Sequence, residues 1–150
     1  MIERNKEIAR RWLLEFWNGD LSLAHELHAP DYTRHDSPFP INDPDAYVQY
    51  IQIIRTPCPD MTFNLEDMVA EDDKVLIRWT ATMTHQGELM GIPATGKKIS
   101  NRGMDLLHFK DGKIIESWGL PDVFGIFLQI GRFPEIDGLV KSLKIANFKI

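Results

Sequence analysis

The chain has 150 residues, 43% hydrophobic and 26% charged, which suits one folded core and excludes a second domain, a disordered tail and a fibrous repeat. Its 17 basic and 22 acidic residues give a net charge of −5 and a pI near 5.5, with no run of like charges, so nucleic acid is not an expected partner. Cys58 is the single cysteine, which excludes an internal disulfide and a multi-cysteine zinc site.

The first pattern is helical. Ile8, Trp12, Leu13, Phe16 and Trp17 recur at helical spacing over 3–18, with charged residues between them and Gly19 as the stop. A shorter helix is expected over 21–28 with Asp20 as its N-cap, ending before Pro30. A short strand follows over 32–35. Asp43-Pro44 is an N-cap and first-turn pair, and Tyr47, Tyr50 or Ile51, and Ile54 carry that helix on to Pro57 and Pro59.

From Met61 the period changes from about 3.6 to 2, and strands replace helices. One strand is expected over 61–69 and another over 75–85, separated by Asp72-Asp73. In the second, Val75, Ile77, Trp79, Ala81, Met83 and His85 share one face, while Arg78, Thr80, Thr82 and Thr84 share the other. Strands over 98–109 and 114–120 form a hairpin closed at Asp111-Gly112. Asp122 then caps a last helix over 123–131. Helices first and antiparallel strands second argue for an α+β fold, in which early helices wrap a strongly bent sheet and enclose an apolar pocket.

The stretch 123–130 is too short to cross a bilayer, and Met1-Ile2-Glu3-Arg4-Asn5-Lys6 has no apolar signal core behind it, so a cytoplasmic protein without a membrane partner is expected. The segment 138–150, with Leu139, Val140, Leu143, Ile145, Ala146 and Phe148 among Lys141, Lys144 and Lys149, reads as a tail beyond a domain of 1–137. It suits packing on its own body or on a partner subunit better than an amphipathic helix on a membrane.

Several segments together resemble the SnoaL-like polyketide cyclases, a branch of the NTF2-like cone-shaped folds. They are Asn5-Lys6-Glu7-Ile8-Ala9-Arg10-Arg11, Phe16-Trp17-Asn18-Gly19, Ala29-Pro30-Asp31-Tyr32 with His35-Asp36, and Asp67-Met68-Val69-Ala70-Glu71-Asp72-Asp73. The stretch from Thr84-His85-Gln86-Gly87-Glu88-Leu89 through Met90-Gly91-Ile92-Pro93-Ala94-Thr95-Gly96, the hairpin Phe109-Lys110-Asp111-Gly112-Lys113-Ile114 and the segment 118–134 complete the similarity. The resemblance implies an NTF2-like cone and a cofactor-free enzyme that closes a ring of a polyketide-like molecule by intramolecular aldol condensation. It also implies a homodimer through the open face of the sheet, where Thr80, Thr82 and Thr84 lie.

In such cyclases an aspartate near the end of the last strand moves the proton, helped by a histidine on the neighbouring strand. Carried over, the aspartate falls on Gly119 and the histidine on Asp105. Catalysis therefore passes to Asp105, if it passes anywhere. A plain two-residue hairpin loop sets Asp105 opposite Trp118, while a bulged loop sets it opposite Gly119. In either register Asp105 shares a face with Leu107 and Phe109, where desolvation would raise its pKa. A structural carboxylate bonded to Arg102 or Arg78 is the competing reading, and a salt bridge to arginine would count against catalysis.

His85 is the second catalytic candidate, as a polar group at the pocket rim or as a strand cap; His35 is the third. His35 and Asp36 are adjacent, so in an extended strand only one can face the cavity. His25 and His28 read as surface or packing residues, and His108 alternates away from Asp105. Tyr32 and Trp118 are expected to stack on a flat ligand, with Trp79 beside them and Met90, Ile92 and Phe124 as an adaptable apolar wall. Cys58 between two prolines carries no reaction. No metal site is expected, because His35, His85 and Asp105 lack ligand spacing. The expected partner is a small apolar or aromatic ligand. Beside the cyclase stand two other readings: a binding module that kept the pocket and lost the acid, and a hydrolase, dehydratase or isomerase on the same scaffold.

Overall fold

The computed structural model describes residues 1–133 and has an α+β architecture, four α-helices packed on an open five-stranded mixed sheet. The tail assigned to 138–150 and the end of the domain at 137 lie outside the described residues. Helix α1 (Ile2–Arg11) continues as a wider π-helical turn, Trp12–Phe16, closed by Trp17 N–H donating to the Trp12 carbonyl at 3.1 Å. That turn brings Trp12, Leu13, Phe16 and Trp17 into the core together. A π-helical insertion of this kind often marks a functional site.

The expected second helix is shorter than its pattern. A 3₁₀ turn, Leu21–Leu23, leads into α2 (Ala24–Leu27), and the Asp20 carboxylate accepts from the Ser22 hydroxyl at 2.5 Å instead of capping the helix. Strand β1 (His28–Arg34) starts four residues before the expected one and takes Pro30 within it, which an edge strand with an irregular register tolerates. Helix α3 (Pro44–Arg55) is capped as its sequence requires, Asp43 Oδ1 accepting from Ala46 N–H at 2.8 Å. Such a cap stabilises a helix by about 1 kcal/mol.

Strands β2 (Thr62–Glu71), β3 (Lys74–Thr84), β4 (Lys98–Lys110) and β5 (Lys113–Pro121) form the antiparallel part of the sheet. The order is β1-β5-β4-β3-β2, with β1 joined in parallel to β5. Alternation along β3 buries Val75, Ile77, Trp79, Ala81 and Met83 and leaves Arg78 and Thr82 exposed, as the period-2 pattern requires. Helix α4 (Val123–Ile130) begins at Asp122, whose Oδ1 accepts from Gly125 N–H at 2.9 Å. Among the described residues no helix is long and apolar enough to cross a membrane.

The β4–β5 turn combines two features that the sequence offered as alternatives. Asp111 and Gly112 both have positive φ, 52° and 75°, and form a two-residue loop with Lys110 opposite Lys113. A bulge at Ile115 then shifts the register, so that His108 pairs with Glu116 and Asp105 with Gly119. Because strand neighbours point to opposite faces, the shift turns Ser117 and Gly119 inward and Trp118 outward.

Candidate active site

Between the helices and the concave face of the sheet lies a cavity of about 690 Å³, within the usual range for small-molecule sites. Its wall is mainly apolar, with Trp17, Phe63, Trp79, Met83 and Phe127 prominent, and Arg34, Asn101 and Asp105 are its buried polar groups.

Asp105 reaches this wall because of two glycines. Trp79 pairs with Gly103 across β3 and β4, and a Cβ at residue 103 would collide with the indole. The bare backbone lets the ring lie across β4, and its Nε1–H donates to Asp105 Oδ2 at 2.7 Å. On the other side Gly119 leaves room for the carboxylate and for Arg34; a Cβ there would collide with Asp105 Oδ1 and Arg34 Nη2. Arg34 Nη1 donates to Asp105 Oδ1 at 3.0 Å.

Arg34 comes from β1, the parallel edge strand. Its Nη1 also lies 3.2 Å from Ser117 Oγ and 3.3 Å from the Tyr47 hydroxyl. Rings of Trp17, Tyr47 and Tyr50 surround the guanidinium carbon at 6.0, 5.6 and 5.9 Å, a cation–π cage that fixes the fork. Burial raises the pKa of Asp105, while Arg34 and the Trp79 N–H oppose the rise. The bonds to Arg34 and Trp79 favour the carboxylate form, whereas burial favours the protonated one.

The candidates chosen from the sequence divide between this cavity and other places. Asp105, Trp79 and Met90 line it. His85 does not: it is fully buried, with Nδ1 2.9 Å from Thr95 Oγ1 and Nε2 without a partner. His35 stacks on Trp118 with centroids 4.6 Å apart and approaches Glu116 Oε1 at 3.2 Å, away from the cavity, while its neighbour Asp36 lines it. Trp118 is taken outside by the bulge. Tyr32 is inward but covered, stacked on Tyr47 and bonded to Ser117 Oγ at 2.5 Å; burial pushes its pKa up to about 12, so it stays neutral. Ile92 is buried in the core beside Leu89. Phe124 is 63% exposed, because α4 presents Val123, Ile126 and Phe127 to the cavity instead.

The reading of the remaining histidines also meets its geometry. His25 is exposed beside Asp45, and burial pushes His28 down to about 4, leaving it a neutral packing group. His108 joins Glu116 and Asp73 away from the cavity. Burial pushes the Cys58 thiol up to about 11, consistent with an unreactive residue.

Arg34, Asn101, Trp12, Trp17 and Tyr50 are cavity residues that sequence reasoning did not select. Arg34 left one usable sign: it shares a strand face with the apolar Tyr32, where a charge needs a buried partner.

Comparison with known proteins agrees with this architecture. The SnoaL-like polyketide cyclase family model matches residues 7–130. The chain belongs to this family. It is 26% identical over 112 residues to aklanonic acid methyl ester cyclase DauD of Streptomyces sp. (strain C5), covering 73% of this chain and 68% of DauD. To AcmA of Streptomyces galilaeus, also named aklanonic acid methyl ester cyclase, it is 37% identical over 76 residues, 49% of this chain and 53% of AcmA. Among solved structures, IdmH of Streptomyces antibioticus, assigned as a polyketide cyclase, superposes with a TM-score of 0.74 at 30% identity over 85% of this chain and 98% of IdmH. AclR of Streptomyces galilaeus, assigned as a hydroxylase, gives 0.78 at 27% identity over 89% and 100%. This SnoaL-like fold is the NTF2-like cone that the sequence resembles.

Proposed function

We propose that the protein is a cyclase acting on a polyketide-like ketone, with Asp105 moving the proton and Arg34 holding the developing enolate oxygen. The observation that carries this reading is a buried carboxylate, Asp105, set into the wall of an apolar cavity in the space that Gly119 leaves open. In the forward step the Asp105 carboxylate takes the proton from the carbon beside a carbonyl. The resulting enolate oxygen lies against the Arg34 guanidinium, where a fixed positive charge in a dry site is worth most. The enolate carbon attacks a second carbonyl of the same molecule, one C–C bond forms, and the new alkoxide recovers the proton from Asp105. Protons balance, and no cofactor enters the scheme.

The names of DauD and AcmA support a ring closure of this type, and the AclR assignment marks how far chemistry varies on the scaffold. The decisive experiment offers aldol-competent polycyclic ketones to the wild type and to Asp105→Asn. Turnover should fall on the order of 10²–10⁴-fold in the variant while ligand binding persists. Equal turnover in both proteins, or none in the wild type with any ketone, defeats the reading.

A binding module is the second reading, and one observation favours it: Asp105 is held in a buried salt bridge to Arg34, the feature that the sequence counted against catalysis, and its other oxygen accepts from Trp79. In that case ketones bind, and no product forms. The proposal also includes a homodimer through the outer sheet face, where Leu76, Met104 and Thr82 are exposed on one side of the sheet. Sedimentation of the full chain as a monomer at micromolar concentration would exclude it.

A further inference from the structure

Two side chains of the cavity wall hold buried N–H groups for which the protein supplies no acceptor among the described residues. Trp12 is 1% exposed, and its Nε1–H has no partner. Arg34 makes its three hydrogen bonds to Asp105, Ser117 and Tyr47 through Nη1, and its Nε is buried and unpartnered. Buried N–H groups are nearly always paired, and leaving one unpaired destabilises the fold. Donors left unpaired on the wall of one cavity point to acceptor atoms on what the cavity holds.

Their placement separates two positions. Trp12 packs edge-on against Trp17 with centroids 6.0 Å apart, and the Arg34 guanidinium carbon lies 6.0 Å from the same Trp17 ring. One indole therefore separates the Trp12 donor from the Arg34 donor, and Leu13 and Phe63 extend the apolar wall there. Two donor positions with an apolar surface between them fit a flat hydrocarbon framework that carries oxygen acceptors at two places.

We infer that Trp12 is a ligand-anchoring and specificity-determining residue. Its indole N–H donates to a second carbonyl-type oxygen of the ligand, distant from the oxygen held by Arg34. The inference rests on the proposed function for the role of Arg34, but the Trp12 anchor needs no proton transfer and is tested by binding alone.

The full chain is labelled with ¹⁵N and titrated with anthraquinone, which has two opposed carbonyls, and with anthracene, which has the same rings and no oxygen. The Trp12 indole N–H resonance, assigned with Trp12→Phe, should move downfield with anthraquinone and not with anthracene. Trp12→Phe should weaken anthraquinone about tenfold and leave anthracene within about twofold. If Trp12→Phe does not fold, benzothienylalanine at position 12 keeps the shape and removes the N–H, and substitution of Trp17, Trp79 and Trp118 in turn supplies the assignment. An unmoved Trp12 resonance, an equal response to both molecules, equal weakening of both, or no binding of either overturns the anchor. Asp105→Asn separates the two ideas. A missing Trp12 response beside lost turnover in that variant defeats the anchor alone; a clear response beside unchanged turnover defeats the proton-transfer reading alone.

Discussion

Asp105 and Gly119 face one another across β4 and β5, and the space that a side chain at 119 would need is filled by the Asp105 carboxylate and the Arg34 guanidinium. Gly119→Ala must therefore displace an ion pair whose other contacts, to Trp79, Tyr47 and Ser117, hold it in place. Overpacking of this kind costs about 1–3 kcal/mol. In an Asp105→Ala background the same substitution should cost at least about 0.5 kcal/mol less, because one of the two colliding groups is gone. Urea unfolding of the four proteins measures the coupling; strictly additive values would mean that residue 119 and Asp105 do not compete for space.

Asp105 could be placed from sequence because period 2 along β4 sets it with Leu107 and Phe109, both buried. Its partner could not. The arginines considered, Arg78 and Arg102, belong to the antiparallel strands and point outward, whereas Arg34 arrives on β1, whose parallel pairing with β5 is a long-range contact that local pattern does not encode. Trp118 shows the same limit at one residue's scale: a bulge at Ile115 decides its face, and both registers suited the Asp-Gly turn. Helices α1, α3 and α4, the hairpin turn and the caps at Asp43 and Asp122 were legible because each rests on residues within four positions of one another.

Arg34 neutralises the only carboxylate among the buried side chains of the cavity wall within the described residues. Arg34→Met keeps much of the packing volume and leaves Asp105 unpaired, a change that typically costs about 3–5 kcal/mol. Arg34→Lys should recover little of this, since one ammonium cannot reproduce a planar fork held among Trp17, Tyr47 and Tyr50. Thermal unfolding at neutral pH compares the three proteins, and a lysine variant as stable as wild type would mean that charge alone matters.

Burial raises the folded-state pKa of Asp105 above its unfolded value. The sign follows: protonated Asp105 favours the folded state, so its contribution is fully present below about pH 4 and is lost as pH rises through the folded value. Asp105→Asn cannot titrate there. Its stability relative to wild type should rise steadily above about pH 4 and level off once Asp105 is ionised. Denaturant midpoints at a series of pH values test this, and a difference that falls with pH would show that Arg34 and Trp79 outweigh burial.

His108 gives the opposite test on the far side of the sheet. Its Nδ1 lies 2.9 Å from Glu116 Oε2 and its Nε2 2.7 Å from Asp73 Oδ2, and these partners raise its pKa, the Glu116 bond most. The same contacts lower the pKa of Glu116 and of Asp73. The histidine contribution is complete below its unfolded value and is lost as pH rises through the raised one; the carboxylate contributions are present above their unfolded values and are lost as pH falls. The cluster should therefore stabilise the protein most between about pH 4.5 and 6.5. His108→Gln preserves a polar side chain without the charge, so the wild type should exceed it in Tm most within that window and approach it on both sides. A Tm difference that stays constant from pH 4 to 9 would mean that the three groups are joined by packing and not by charge.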